Sequence, residues 1–165
     1  MNSPYPRITD LSFLERCHAR TAGFYRYWEA KRQGARLPAR ADLDPVEMKE
    51  WLPGIVLVNV TPDPAHRPPY RLTYRLIGTR ATELRGHEAA GKSVEEAFFG
   101  NSLAEILENY RVVIEERKPV YDGDRTRSKS GGRLEAETLL LPLASDGVTV
   151  DMVICYQEIE SNGPA

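Results

Sequence analysis

The sequence predicts an α+β domain in which two strands, a helical crossover and three further strands follow one another. An apolar run at 55–60 is followed, across a proline-rich loop, by a segment at 70–77 in which apolar and polar residues alternate. The spacing of apolar residues becomes helical after Gly78 and stays so to residue 116. Strand-like patterns then return three times before residue 158. This order favours one sheet with a helical layer built from the middle of the chain.

Composition limits the classes of protein to consider. A chain of 165 residues is the length of one domain. Hydrophobic residues make up 41% and charged residues 28%, and the net charge of −2 gives no general attraction to nucleic acid or to an anionic membrane. No run approaches the roughly 20 apolar residues of a membrane span, and the N-terminus lacks the apolar core of a signal peptide. We therefore expect a cytoplasmic protein without a nucleic-acid or membrane partner.

Residues 10–33 are predicted to form a long amphipathic helix, with Asp10 or Ser12 as the N-cap and an end near Gly34. About 20 residues of helix span about 30 Å, more than one end of a small sheet requires. The apolar stripe could pack on the domain's own sheet or on the same helix of another subunit. We predict a homodimer, with these stripe residues as its contacts: Leu14, Cys17, Thr21, Phe24, Tyr25 and Trp28.

The segment before the first strand is predicted to contain a short helix. Asp44 and Pro45 suit the N-cap and first helical position, so the helix would cover 45–51. A Pro-Gly turn at 53–54 then starts the strand at 55–60, which is apolar on both faces. Such a strand belongs in the middle of a sheet, and the N-terminal helix is a natural cover for the face away from the crossover. Trp51 is expected in the core.

The second strand, 70–77, has the alternation of a half-buried antiparallel strand. One face carries Tyr70, Leu72, Tyr74 and Leu76, and the other carries Arg71, Thr73 and Arg75. Tyr74 is thus predicted to be an inward aromatic residue. Its hydroxyl would meet either a backbone group or a ligand.

The helical stretch is predicted to consist of two short helices and one longer one. Thr79 can cap a turn that runs to residue 84 and ends at Gly86, and Ser93 can start another turn that contains Phe98. Ser102 opens the crossover helix, 102–116, which has a clear apolar stripe. The short helices would depend on packing, since each is below the roughly 12 residues that an isolated helix needs.

Three closing strands follow, at 120–127, 133–143 and 148–158. Turn sequences at 130–132 and 145–147 join them. Along the last strand Ile154 and Tyr156 share a face with the earlier apolar residues of that segment.

From about residue 44 to residue 158 the chain resembles a PAS domain. The runs Leu-Pro-Ala-Arg-Ala-Asp-Leu-Asp-Pro at 37–45, Arg-Leu-Ile-Gly-Thr at 75–79 and Leu-Pro-Leu-Ala-Ser-Asp-Gly at 141–147, with Gly86 and Gly91, are similar to the stand-alone bacterial PAS subgroup. The resemblance implies a five-stranded antiparallel sheet in the order 2-1-5-4-3. It also implies that residues 79–116 form one wall of a cavity. We expect a dimerisation helix over 1–36, a PAS domain over 37–160 and a tail over 161–165.

The cofactors known for PAS domains can be tested against these residues. A haem-binding PAS domain uses an axial histidine, usually from the crossover helix, and 102–116 contains none. A light-sensing flavin PAS domain uses a reactive cysteine in an Asn-Cys-Arg motif of the crossover region. The cysteines here, Cys17 and Cys155, lie on the first helix and the last strand instead. We therefore expect neither haem nor a cysteine-adduct flavin, and the identity of any cofactor stays open.

The resemblance leaves a cavity for a small organic molecule. Its predicted lining is Tyr74, Leu76, Phe98, Tyr110, Tyr121 and Ile154, with His87 near its mouth. A guanidinium group grips a carboxylate through two parallel hydrogen bonds, so Arg75 and Arg125 are candidates for a carboxylate ligand. The alternation of the second strand points Arg75 outward.

No residue set predicts a metal site or catalysis. His18, His66 and His87 are scattered, and the motifs of hydrolases, phosphate loops and metalloproteases are missing. We expect a sensory or regulatory protein that is not an enzyme. It would bind a small metabolite in its core or a signalling partner in trans, and would transmit its state through a dimer. The alternative is an interaction module for signal transduction that binds no ligand.

Overall fold

The sheet has five antiparallel strands in the order predicted. A computed structural model describes residues 7–99, 102–123 and 134–161. Its strands are β1 (Ile55–Pro62), β2 (Tyr70–Ile77), β3 (Val120–Asp122), β4 (Leu134–Leu143) and β5 (Met152–Ser161). Their spatial order is β2-β1-β5-β4-β3, and every neighbouring pair is antiparallel. The α+β fold class and the strand order are therefore confirmed.

Within the described residues, four α-helices and three short 3-10 helices complete the fold. The α-helices are α1 (Ala19–Ala30), α2 (Thr79–Arg85), α3 (Val94–Ala97) and α4 (Leu103–Glu115), and the 3-10 helices cover Leu11–Glu15, Arg40–Asp42 and Leu52–Gly54. The caps follow local sequence: the Ser102 hydroxyl accepts a hydrogen bond from the backbone N–H of Glu105 at 3.3 Å, and Gly86 ends α2 with φ of 77°. The crossover helix is where its sequence predicted it.

The predicted continuous helix over 10–33 is wrong. A 3-10 helix ends at Glu15, and α1 begins only at Ala19, so the helix has 12 residues and spans about 18 Å. The Glu137 carboxylate accepts from the backbone N–H of His18 at 3.0 and 3.1 Å, and the His18 imidazole accepts from the Arg20 N–H. A side chain from β4 thus satisfies the start of α1 and separates it from the preceding turn. The excess length that favoured a dimer does not exist.

The apolar stripe of α1 packs on the sheet of its own protomer. Of the predicted dimer contacts, Thr21, Phe24, Tyr25 and Trp28 are buried, whereas Leu14 and Cys17 are only partly buried. The Trp28 indole N–H donates to the Pro142 carbonyl at 3.0 Å, which fixes the helix over β4. The four buried residues are therefore core residues, which corrects their assignment as subunit contacts. A homodimer stays a prediction.

The predicted helix over 45–51 is a series of turns. The backbone N–H of Met48 is shared between the carbonyls of Asp44 and Pro45, both at 3.2 Å, so no regular helical ladder develops. Trp51 is buried as expected, and its indole N–H donates to the Arg20 carbonyl at 2.9 Å. The turns thus place the Trp51 ring beneath α1.

A register shift in β2 overturns part of its predicted alternation. Val58 pairs with Tyr74 and Leu57 pairs with Leu76, which leaves Arg75 as an extra residue without a partner in β1. The predicted alternation of inward and outward side chains holds as far as Tyr74 and does not continue beyond it. Leu76 is consequently 45% exposed, and its predicted inward position is wrong.

The last strand starts later than predicted. The Asp146 carboxylate accepts from the backbone N–H groups of Val148 and Thr149 at 2.8 and 2.7 Å, and this forms a local turn before β5 begins at Met152. The end of the predicted strand 120–127, the turn at 130–132 and Arg125 lie outside the described residues.

The sheet is covered on both faces, and β1 lies between β2 and β5 as its apolar sequence predicted. Helix α1 packs on β4 and β5 from one side, and α4 packs on β3, β4 and β5 from the other. The pleat of β5 therefore sends Tyr156 and Glu158 toward α1, and Cys155 and Gln157 toward α2 and α4.

Candidate functional site

A cavity of about 70 Å³ lies between the sheet and the layer formed by α2 and α4. Its strand side consists of Val56, Tyr74, Asp122, Ala136, Thr138, Leu140, Cys155 and Gln157. Its other walls consist of Arg85, Phe99, Ser102, Glu105, Ile106, Asn109 and Tyr110. The volume is enough for several water molecules, and it is well below the roughly 300–1,000 Å³ of sites that take drug-sized ligands. A molecule of few heavy atoms fits this space.

Arg85 is a cationic residue in the lining of the cavity. It is the last residue of α2 and is only 6% exposed. One of its terminal nitrogens donates to the Ala81 carbonyl at 3.2 Å and to Gln157 Oε1 at 3.1 Å, while its Nε has no hydrogen-bond partner. The guanidinium carbon lies 5.5 Å from the ring centres of both Tyr74 and Phe99. A cation is thus held in the wall by aromatic rings and one amide.

Two weak acids, Tyr110 and Cys155, stay protonated beside this cation. The Tyr110 hydroxyl lies 3.7 Å from Cys155 Sγ, and both side chains are buried. Burial raises the pKa of the Cys155 thiol to about 12 and the pKa of Tyr110 well above its usual value. Burial also raises the pKa of Tyr74, although nearby Arg85 opposes this shift. These groups can therefore donate hydrogen bonds to a ligand at neutral pH.

The end of the cavity near α4 and β3 carries carboxylates and an amide. The Asn109 side-chain amide donates to Asp122 Oδ2 at 2.7 Å, and Arg7 donates to the side-chain oxygen of Asn109. Glu105 lies on the same wall. The cavity therefore has a cationic group at Arg85 and acidic groups at its other end.

A family model for the PAS domain matches residues 16–156. The chain belongs to the PAS domain family. Domains of this family are generally sensory and signalling modules, and they commonly mediate protein interactions and dimerise. The match includes α1 and every strand from β1 to β4. The comparison with curated proteins gives no match.

The chain is similar to solved PAS and LOV structures at low sequence identity. The Drosophila melanogaster Cycle PAS-B with bound glycerol is 17% identical and has a TM-score of 0.45, over 64% of this chain and 98% of that one. A fungal LOV domain photoreceptor is 15% identical with a TM-score of 0.45, over 90% and 97%. An RNA-binding light-oxygen-voltage receptor is 18% identical with a TM-score of 0.46, over 74% of this chain and 35% of that receptor.

The structure brings two of the predicted ligand-binding residues into the cavity of this PAS domain, Tyr74 and Tyr110. The others lie elsewhere. Tyr121 stacks on Phe13 beneath the N-terminal segment, with ring centres 5.6 Å apart, and Ile154 is buried on the α1 side of β5. Their strands place them on the face opposite to the one predicted, because alternation separates two sets of residues without saying which set meets which helix.

The remaining predicted residues lie outside the cavity lining. Leu76 follows the register shift of β2 and is exposed. His87 is exposed, and its Nδ1 lies 3.2 Å from the Arg85 carbonyl. Phe98 follows α3 and packs partly buried against the core. Trp51 is a core ring, as predicted, and Arg75 is exposed, as its position on β2 suggested.

Sequence reasoning missed Arg85, Cys155 and Gln157. A signal for Arg85 was present, because Arg85 falls four residues after Ala81 and thus on the buried side of α2. An arginine in the apolar stripe of a short helix indicates a buried cation. Its position next to Gly86 suggested an ordinary solvated helix end instead.

Within the described parts of the chain, no group of three His, Cys, Asp or Glu side chains could hold a metal ion. In those same parts, no helix is long and apolar enough to cross a membrane.

Proposed function

We propose that this PAS domain is a small-molecule sensor, rather than an enzyme, whose ligand occupies the cavity between the sheet and α4. The observation that supports this most directly is a cavity whose wall holds a buried guanidinium with an unpaired Nε. A core built only for stability would fill such a space with apolar groups, because an empty volume and a poorly paired polar group both cost free energy.

Strand β5 provides a route from the cavity to the opposite face of the sheet. Cys155 and Gln157 contact the cavity, and the intervening Tyr156 has its ring centre 5.6 Å from that of Phe24 on α1. Glu158 pairs with Arg20 of α1 at 2.9 Å. A ligand that moves β5 changes the packing of α1, and the surface beside α1 then presents a different shape to a signalling partner or to a second copy of the chain.

Native mass spectrometry tests the proposal. The protein purified from a bacterial host is weighed intact, and the same sample is weighed after denaturation. A mass excess that disappears on denaturation supports the sensor. Ala136→Leu is the control variant, because a larger side chain on β4 fills the cavity and should abolish the excess. Hydrogen exchange of α1 should differ between loaded protein and this variant.

A protein interaction module without a ligand is the second candidate. The small volume of the cavity favours it, since about 70 Å³ admits only a few heavy atoms. In that case the intact mass would be that of the bare sequence, or twice that mass for a dimer. Ala136→Leu would then leave signalling in cells unchanged, whereas changes on the exposed surface would abolish it.

A further inference from the structure

We propose that the cavity binds the carboxylate of a small organic monoacid and that Arg85 grips this group. The inference rests on the proposed sensor function and names the chemical class of its ligand. It starts from the ionisation of arginine, which stays protonated in proteins even when it is buried.

The burial of Arg85 is not balanced by an acid. In the described segments, 7–99, 102–123 and 134–161, no carboxylate oxygen forms an ion pair with Arg85, although nine other such pairs are formed there. Its neighbours in the protein include an amide oxygen, a backbone carbonyl, two aromatic rings and the hydroxyl of Tyr74, all of which are neutral. A buried cation without a counter-charge is unfavourable. A bound anion in the cavity supplies that charge.

The geometry of the guanidinium favours a carboxylate. Its planar N–H groups match the two oxygens of a carboxylate through parallel hydrogen bonds. One terminal nitrogen already donates to Ala81 and Gln157, and the carboxylate would take the remaining N–H groups of the fork. Tyr110 and Thr138 line the same cavity, and each has a hydroxyl that can donate a hydrogen bond.

The rest of the cavity limits the ligand to one negative charge. Glu105 and Asp122 line the end near α4 and β3, where a second anionic group would be repelled, and the Arg7 side chain there is already directed to Asn109. Val56, Ile106 and Leu140 give the walls apolar surface for a short hydrocarbon chain. Together with the volume of about 70 Å³, this indicates a monocarboxylate of a few carbon atoms.

The test compares acids with their neutral amides. Propionate, butyrate and pyruvate are added at constant ionic strength to isotope-labelled protein, beside propionamide and butyramide. We expect at least one acid to raise the Tm by several degrees and to shift the backbone amide signals of Cys155 and Gln157. Those of Phe24 and Trp28, which lie on the other face, should shift less. The amides should neither raise the Tm nor shift these signals.

Variants assign the binding to Arg85. Arg85→Met should weaken the binding of the acid about 10- to 100-fold, the range expected for losing a charge-assisted pair. Arg75→Met removes an exposed arginine of β2 and should leave the affinity unchanged. Arg85→Lys keeps the charge but loses the planar fork, so it should also bind more weakly. If Arg85→Met does not fold, two other results test whether Arg85 binds the acid. They are the affinity of the lysine variant and the signal shifts of the wild-type chain.

Several results would overturn the inference. They are the absence of binding by all three acids, equal binding by the amides, or unchanged affinity in both Arg85 variants. The mass measurement separates this failure from that of the sensor itself. A neutral molecule that is released on denaturation would keep the sensor and reject the carboxylate, whereas bare protein that binds none of these acids would reject both.

Discussion

The side of the sheet that faces α1 is packed with aromatic rings, whereas the side that faces α4 keeps a cavity and a buried cation. On the α1 side, Phe13 and Tyr25 have ring centres 5.4 Å apart, and Tyr25 and Trp28 have theirs 5.9 Å apart. These distances are those of interlocking rings in a well-packed core. One sheet therefore supports a face built for stability and a face with room for a ligand.

The two sides of the sheet also differ in how their buried charges are paired. Glu158, buried on the α1 side, receives hydrogen bonds from both Arg20 and Tyr156. Arg85, buried on the α4 side, has no such acidic partner among the residues that the structure describes. Paired charge on one side and unpaired charge on the other is the arrangement expected where stability and binding are divided between faces. Three predictions test this division, and a fourth tests the register shift of β2.

The largest effect is expected from Trp28→Ala. This change removes a fully buried ring and its hydrogen bond to Pro142, so the free energy of unfolding should fall by about 3–5 kcal/mol. Urea unfolding measures it. Cys155→Ala on the cavity side removes a single sulfur atom beside an existing void and should cost far less. Equal losses in the two variants would contradict the contrast between the faces.

Two alanine-to-leucine changes, one on each side of the sheet, should differ in their effects on stability and on ligand binding. Ala22→Leu adds volume to the packed α1 side and should lower the free energy of unfolding by about 1–3 kcal/mol. Ala136→Leu points into the cavity and should change it by less than about 1 kcal/mol while blocking the ligand. Thermal and urea unfolding of both variants provide the comparison. A large loss of stability in Ala136→Leu would show that the cavity is not open space.

The Glu158–Arg20 pair should give the α1 side a specific dependence on pH. Burial acts to raise the pKa of Glu158, but hydrogen bonds from Arg20 and Tyr156 outweigh it, and the pKa lies below the usual value of 4.5. The native state therefore binds this proton less tightly than the unfolded state, so the contribution to stability is present above about pH 4.5 and disappears as the pH falls through the lowered pKa.

Glu158→Gln should thus lower the Tm by roughly 2–4 °C at pH 6 and by much less near pH 3. Glu137 has the opposite dependence on pH, because burial and, to a smaller extent, the charge of Glu158 raise its pKa. Glu47→Gln is the matched control, because Glu47 pairs with Lys31 at an exposed site and should matter less. A pH-independent difference for Glu158→Gln would reject the assigned role of this ion pair.

The smallest effect is expected from Leu76→Ser. Because the register shift exposes Leu76, this change should alter the free energy of unfolding by no more than about 0.5 kcal/mol. Leu72→Ser, on the same strand before the shift, replaces a buried side chain and should cost at least about 2 kcal/mol. Similar losses of stability in both variants would show that the alternation continues through Leu76, as the sequence predicted.

The order of the elements could be predicted because it depends on local signals. The bounds of β2 follow from alternation between two turn sequences, and α2 ends at a glycine that adopts positive φ. The serines at 93 and 102 cap the helices that follow them. In the candidate site, only Tyr74 and Tyr110 were predicted, since each lies in a clear periodic pattern before any irregularity of its element.

By itself the sequence determined the α+β class, the succession of strands and helices, and the two sets of residues along each strand. Only the tertiary structure decided which set of β5 meets α1, where Glu137 interrupts the N-terminal helix, and that Arg85 is buried. These features depend on contacts between residues more than 70 positions apart, such as Arg85 with Gln157 and His18 with Glu137. Periodicity records the spacing of side chains along one element, but burial is set by the element that packs against it.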